Sequence, residues 1–287
     1  MEDHLMIATA SEGTIRIYVA LTTQIVEKAR KIHETWPTAT AALGRVLTGT
    51  LMMGVMNDNL CRLTVRISGN GVLGSILAIS NQRGVVKGEV ANPKVDLDLN
   101  SLGKFDVGGA VGSGEMIVLK DLGLKDPYQG IVPLQNGEIA EDFAFYFTKS
   151  EQTPSAVALG VLVNPDGTVK AAGGLIVQLL PGCSEETINL LEAKLADISK
   201  LTELIAEGVT PSQLVTMVAP EPEKVKFLEQ VPIFYRCDCS WERFRGPLLS
   251  LDPGEIGDIL KEQGRVEVRC HFCNKTYHYQ ADQLKQE

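Results

Sequence analysis

No apolar run in this sequence approaches the ~18–20 residues that a helix needs to cross a bilayer. The opening Met1-Glu2-Asp3 has none of the basic-then-apolar character of a secretion signal, so a cytoplasmic protein is expected. Positive charge is also short. Lys and Arg number 27 against 36 Asp and Glu, a formal net charge of −9. That balance argues against nucleic acid or an anionic membrane as partner. A nucleotide loop is missing too. Gly69-Asn70-Gly71-Val72-Leu73-Gly74 fits G-x-G-x-x-G, but that motif must open a helix of real length. Only Ser75 to Ser80 follows before the turn Asn81-Gln82-Arg83-Gly84, so two strands joined by a glycine turn are expected. Asp106 to Gly114 is again glycine-rich, yet has no Gly-Lys-Ser/Thr ending and runs into the strand-like Glu115-Met116-Ile117-Val118-Leu119. No paired general acid and base stands out either, and no enzymatic turnover is expected.

What is present is a cluster of thiols. Four of the six cysteines form two tight pairs, Cys237-Asp238-Cys239 and Cys270-His271-Phe272-Cys273, with thirty residues between them. Two such pairs brought together make a tetrahedral four-sulfur site, which zinc favours and which leaves no open position for substrate. The C-x-C spacing departs from the usual paired C-x-x-C pattern. Four core thiols or two static disulfides remain alternatives to zinc. His271 and His278 lie close by, but with four cysteines available they read as solvated or as supporting groups. Clustered free thiols in a long chain fit a reducing cytosol. Cys61 and Cys183 are isolated and read as small buried apolar residues.

The segment around these pairs, from about Val231 to Glu287, is too short to bury much surface and is marginal alone. Metal binding in such a domain is folding energy, of order 10–16 kcal/mol. Loss of zinc is therefore expected to unfold it. Oxidation of the thiols removes the ligands. A disulfide within an extended C-x-C pair strains the backbone as well, because the Cα atoms lie roughly 6.6–7 Å apart against the ~4.4–6.8 Å a disulfide accepts.

Alternating apolar residues predict a hairpin over 5–20, and helical spacing predicts a helix over 22–35 ended by Trp36-Pro37. Thr38 to Met56 reads as a second, all-round apolar and buried helix, with a client-binding methionine surface as the sharper alternative. Strands follow over 61–90, 115–119 and 130–136, then a helix over 138–148 and a hairpin over 156–180. Ser184 is a helix cap, and Ile188, Leu191, Leu195, Ile198 and Ile205 form one apolar stripe; Thr210-Pro211-Ser212 opens another short helix. The fold class is α+β: a mostly antiparallel sheet domain with helices at 1–180, a helical linker at 181–232 and a small four-cysteine zinc domain at 233–287. A linker stripe that covers the first domain's surface also hides it.

The two cysteine pairs with their thirty-residue gap, Glu141-Asp142-Phe143 with Tyr146, Ser150-Glu151-Gln152 and the glycine-rich run at 108–114 resemble the heat shock protein 33 family, the redox-regulated holdase chaperones of bacteria. The resemblance runs over essentially the whole chain. It implies a reduced, inactive state with one zinc on Cys237, Cys239, Cys270 and Cys273. It further implies that peroxide with unfolding stress, or hypochlorous acid, forms Cys237–Cys239 and Cys270–Cys273 disulfides and releases zinc. The zinc segment then unfolds, the linker loses its dock, and apolar surface binds unfolding client proteins without ATP, with a homodimer favoured. Two other classes compete: a zinc-ribbon module for protein or nucleic-acid contacts, and a thiol oxidoreductase, which would need a thioredoxin-like βαβ context that this C-terminal motif lacks.

Overall fold

The computed structural model describes residues 2–101, 103–196, 198 and 200–284. The chain divides into two compact units, Met1–Tyr235 and Arg236–Glu287.

The first unit opens with the expected hairpin, β1 (His4–Ala10) and β2 (Ile15–Leu21). Its tight turn needs left-handed backbone at Ser11, Glu12 and Gly13, and only the glycine takes that conformation without cost. Helix α1 (Thr23–His33) and helix α2 (Pro37–Val55) follow, with Pro37 in the first turn of α2, where its missing N–H costs nothing. Next come β3 (Arg62–Gly69), β4 (Ser75–Ser80), β5 (Val85–Val90), the short α3 (Val107–Val111), β6 (Gly114–Asp121), β7 (Tyr128–Pro133), α4 (Ala140–Ser150), β8 (Ser155–Val163) and β9 (Val169–Leu179). Then α5 (Glu185–Ala196), α6 (Leu201–Ala206), α7 (Pro211–Val218), β10 (Lys226–Pro232) and β11 (Phe234–Tyr235) complete the unit.

Two sheets result, in the orders β10-β1-β2-β9-β8 and β11-β5-β4-β3-β6-β7. Every pairing is antiparallel except β11 with β5. The loop from Gly69 to Gly74 joins two antiparallel strands. Bare glycine there lets the Val111 backbone approach: a Cβ on Gly69 would meet the Val111 carbonyl oxygen at 2.0 Å.

Helix α2 is the inner layer. Every residue from Thr38 to Val55 is buried except Arg45, so Met52 and Met53 belong to the core. Its polar groups are paired inside: Thr22 and Thr48 hydroxyls lie 2.7 Å apart, and Thr48 donates to the Gly44 carbonyl at 2.8 Å. Arg45 reaches Glu138 at 2.5 Å, whose other carboxylate oxygen accepts from Gly108 N–H. The fully buried Asp142 accepts from the N–H groups of Gln135 (2.6 Å) and Ile139 (3.0 Å), fixing the turn into α4. Glu141-Asp142-Phe143 thus serves local structure. On α1, Glu27 takes two bonds from Arg30 at 2.8 Å and one from the Val169 N–H, tying the helix to β9.

The middle of the five-stranded sheet, β1, β2 and β9, is covered on both faces. Leu5, Tyr18, Ala20 and Ile176 face the core around α2. Ile15, Ile17, Val19, Leu175 and Val177 face the other way, where Leu191, Leu201, Leu214, Val215 and Val218 of α5–α7 cover them. The stretch 181–232 is helical over α5–α7 but not to its end. The predicted single stripe down to Ile205 is split between α5 and α6. Residues 226–232 form β10 and pair with β1, more than two hundred residues earlier in the chain. Periodicity over these seven residues is silent because only Val231 is buried.

The second unit contains α8 (Trp241–Leu249), α9 (Pro253–Gln263) and the hairpin β12 (Val266–Arg269) with β13 (Thr276–Tyr279). Ser240 caps α8 through the Arg243 N–H, and Asp252 caps α9 through Gly254 and Glu255. Ile256, Val266, Tyr277 and Tyr279 form its buried centre, with Trp241, Phe244, Leu248 and Leu260 packed around them.

Candidate metal centre

Cys237 and Cys239 lie in the stretch without regular secondary structure just before α8. Cys270 to Cys273 form the turn between β12 and β13. That turn is closed by Cys270 N–H donating to the Lys275 carbonyl (2.9 Å) and Asn274 N–H to the Cys270 carbonyl (2.8 Å), with Asn274 in the left-handed region. The hairpin therefore presents two sulfurs at one end, and the stretch before α8 brings the other two.

All four Sγ atoms lie within 4.8 Å of one another. Cys237 and Cys270 approach to 3.6 Å, Cys239 and Cys273 to 3.3 Å. A tetrahedron with ~2.3 Å metal–sulfur bonds has edges of about 3.8 Å, so the donor set fits a zinc-like ion. All four are free thiols, at spacings well beyond the ~2.05 Å of a disulfide bond. No histidine joins the cluster among the described residues. His278 instead faces Glu267 across the hairpin, Nδ1 to Oε2 3.4 Å.

The sulfurs differ in environment. Burial pushes the Cys237 and Cys273 thiols up from the ordinary cysteine value. Burial also acts on Cys239, but hydrogen bonds to its sulfur, first from Tyr277 and then from Cys273 and Cys237, outweigh it and bring the thiol down to about 7. Tyr277 Oη sits 3.1 Å from that sulfur and 3.1 Å from the Cys239 carbonyl oxygen. Tyr279 stacks on Trp241 at 4.9 Å and donates to the Trp241 carbonyl at 2.7 Å. Arg243 pairs with Asp238, between the first two sulfurs in sequence.

Tyr277 and Tyr279 are the contributors that sequence reading missed. The alternation Thr276-Tyr277-His278-Tyr279 directly after Cys273 was the available signal. Cys61 corrects an expectation: it is exposed, because it lies at the open start of β3 rather than inside the sheet. Cys183 is half-buried beside the linker helices.

A family profile described as Hsp33 protein matches residues 3–280. The chain belongs to the Hsp33 family. It is similar to the 33 kDa chaperonin of Geobacillus sp. (strain WCH70), 47% identical over 287 residues, covering 100% of this chain and 97% of the relative. The 33 kDa chaperonin of Bacillus subtilis (strain 168) is 45% identical over 284 residues, covering 99% and 97%. The crystal structure of the 33 kDa chaperonin (heat shock protein 33 homolog) of Thermotoga maritima superposes with a TM-score of 0.92 at 39% identity, covering 99% of this chain and 97% of that one. The relatives of this Hsp33 chain are thus chaperones by name, and no helix of its described residues is long and apolar enough to cross a membrane.

Proposed function

We propose that this chain is a redox-regulated, ATP-independent holdase of the cytoplasm, inactive while reduced. The observation that carries the reading is the convergence of four thiols within 4.8 Å in a unit whose other fully buried residues are few. Cys237, Cys239, Cys270 and Cys273 would hold one zinc, which when bound supplies the crosslink this small core lacks. As thiolates the four sulfurs are also the groups that peroxide attacks. Each pair gives up two electrons: one sulfur displaces hydroxide from peroxide to become a sulfenic acid, the second sulfur displaces that hydroxyl, and two waters form per disulfide. The disulfides proposed are Cys237–Cys239 and Cys270–Cys273. Once oxidised, the sulfurs no longer hold an ion, and Arg236–Glu287 loses its closure.

A covered apolar surface supplies the second half of the reading. Ile15, Ile17, Val19, Leu175 and Val177 form an apolar patch packed against the linker helices and the turns between them. Release of those helices uncovers it for extended, partly folded client chains. The uncovered face also favours a homodimer. The role is binding without turnover, and nucleic acid is not a partner.

The test combines two readouts in one titration. Reduced, zinc-loaded protein is treated with peroxide at mildly raised temperature. Released zinc is followed with a chromogenic chelator, and light scattering follows a separately unfolding client. Zinc loss that tracks suppression of aggregation is the expected result. Retained zinc, or zinc loss without protection, overturns the switch and leaves a structural zinc ribbon.

A further inference from the structure

The four sulfurs take their hydrogen bonds from different sources. Cys237 Sγ is bonded by the Cys239 N–H and Cys273 Sγ by the Lys275 N–H. Those donors are backbone, and no side-chain change removes them. Cys239 differs. Its sulfur lies 3.1 Å from the Tyr277 hydroxyl, on a residue 38 positions away. That hydroxyl is held in place. Tyr277 is buried on β13, opposite Val268 of β12. Its ring packs on Phe244 of α8, centroids 5.4 Å apart. Lys275 Nζ stands over the ring at 5.1 Å, where a cation draws on the ring's electrons and makes the O–H a better donor. The hydroxyl has one proton and two acceptors in reach, the Cys239 sulfur and the Cys239 carbonyl oxygen, both at 3.1 Å. A free Cys239 thiol can donate its own proton to the tyrosine oxygen and leave the hydroxyl to the carbonyl. A metal-bound sulfur carries no proton. The bond then runs from tyrosine to sulfur, and an ionised acceptor makes it the stronger of the two.

We propose that Tyr277 is a positioning residue that acts through Cys239: its hydroxyl holds that sulfur as a ligand, shields it from oxidant, and so sets the peroxide level at which the second unit opens. This deepens the redox reading above and rests on it. Oxidation begins when a lone pair of a thiolate attacks one oxygen of peroxide. The S–O bond of a sulfenic acid forms, the O–O bond breaks and hydroxide leaves. A hydrogen bond donated to the sulfur holds back the lone pair that this step needs. The same bond steadies the ligand, and outer partners of this kind are worth about 10–100-fold in metal affinity.

The test uses the full chain, reduced and loaded with zinc or with cobalt, as parent, Tyr277→Phe and Tyr279→Phe. Tyr279→Phe is the control, because that hydroxyl donates to the Trp241 carbonyl at 2.7 Å rather than to a sulfur. In Tyr277→Phe, zinc affinity read by chelator competition is expected to fall about tenfold or more. The cobalt–thiolate absorption band should move to lower energy. Alkylation of Cys239, mapped by mass spectrometry, should speed up relative to Cys273, and zinc should leave at a lower peroxide dose. Tyr279→Phe should lower the melting of the second unit yet leave the band and the ratio of Cys239 to Cys273 labelling at parent values. Ring-fluorinated tyrosine at position 277 keeps the side chain, strengthens the donor and should move the band the opposite way; it decides the matter if Tyr277→Phe folds poorly. The proposal is overturned if Tyr277→Phe and Tyr279→Phe are alike in band position and in Cys239 labelling, or if fluorination leaves the band in place. The chelator, cobalt and alkylation measurements use no oxidant. If peroxide leaves zinc in the parent, the redox reading fails, and those measurements still decide whether Tyr277 holds Cys239. A parent that binds neither metal overturns both.

Discussion

Met1–Tyr235 wraps two sheets around one buried helix, whereas Arg236–Glu287 buries, among its described residues, only Ile256, Val266, Cys270, Tyr277 and Tyr279. The first unit has apolar layers on both sides of its five-stranded sheet and needs no crosslink. The second is about fifty residues long, in the range where a single core supplies little net stability. One of its five buried residues is itself a candidate ligand. The contrast teaches where the sensitivity lies: the unit that carries the thiols is the unit that cannot spare them.

The sharpest way to break this contrast is to remove a ligand. Cys273→Ser, or chelation of the reduced protein, should abolish exchange protection across 241–279, a loss of the order of 10–16 kcal/mol of coupled binding and folding. Protection in the first unit should persist, and partial chaperone activity should appear without oxidant. A variant that stays folded, zinc-loaded and inactive would refute the coupling. Tyr279→Ala comes next. It empties a fully buried ring site stacked on Trp241 and should cost about 3–5 kcal/mol, read as a lower melting temperature of the second unit and zinc competed away at lower chelator concentration. Leu47→Ala in α2 carries a similar local cost of about 2–5 kcal/mol, but the first unit should remain folded, which sharpens the comparison.

A smaller perturbation tests the covering helices. Leu214 is fully buried against the sheet face, and Leu214→Asp places an unpaired charge there, costing about 3 kcal/mol. Reduced protein carrying it should bind an apolar dye while keeping its zinc. The smallest effect expected is electrostatic. The hydrogen bond from Arg30 holds the Glu27 carboxyl down at about 2 against an ordinary 4.5. The folded state binds that proton more weakly than the unfolded chain, so the contribution is complete above pH 4.5 and is lost as pH falls toward 2. First-unit melting measured from pH 5 to pH 3 should fall by an amount equivalent to about 1–2 kcal/mol after screening, and Glu27→Gln should flatten that slope.

Much of the candidate site was legible because its signal is local. Cys237, Cys239, Cys270 and Cys273 are tied by short spacings that need no knowledge of the fold. The strands at 62–90 and the buried character of α2 were also plain, since alternation and all-round apolarity reflect burial directly. The failures share a cause. Lys226–Pro232 was included in the helical linker because its strand state is dictated by β1, far away in the chain, and its side chains are mostly in water. Val107–Val111 reads as a glycine loop, yet one short turn of helix forms there, capped by Asp106 through the Gly109 N–H. Tyr277 and Tyr279 were not singled out from the sequence; the fold places one hydroxyl on Cys239 and one ring on Trp241.

Three glycines of α2 set how closely its neighbours pack. A Cβ on Gly44, Gly49 or Gly54 would come within 2.7 Å of Val161 and Val26, 2.6 Å of Phe143 and 2.5 Å of Ser80 respectively. These contacts bring α1, α4, β4 and β8 onto a single rod. Helix α2 is thus a shared packing surface, and a side chain larger than hydrogen at any of the three positions disturbs a different neighbour.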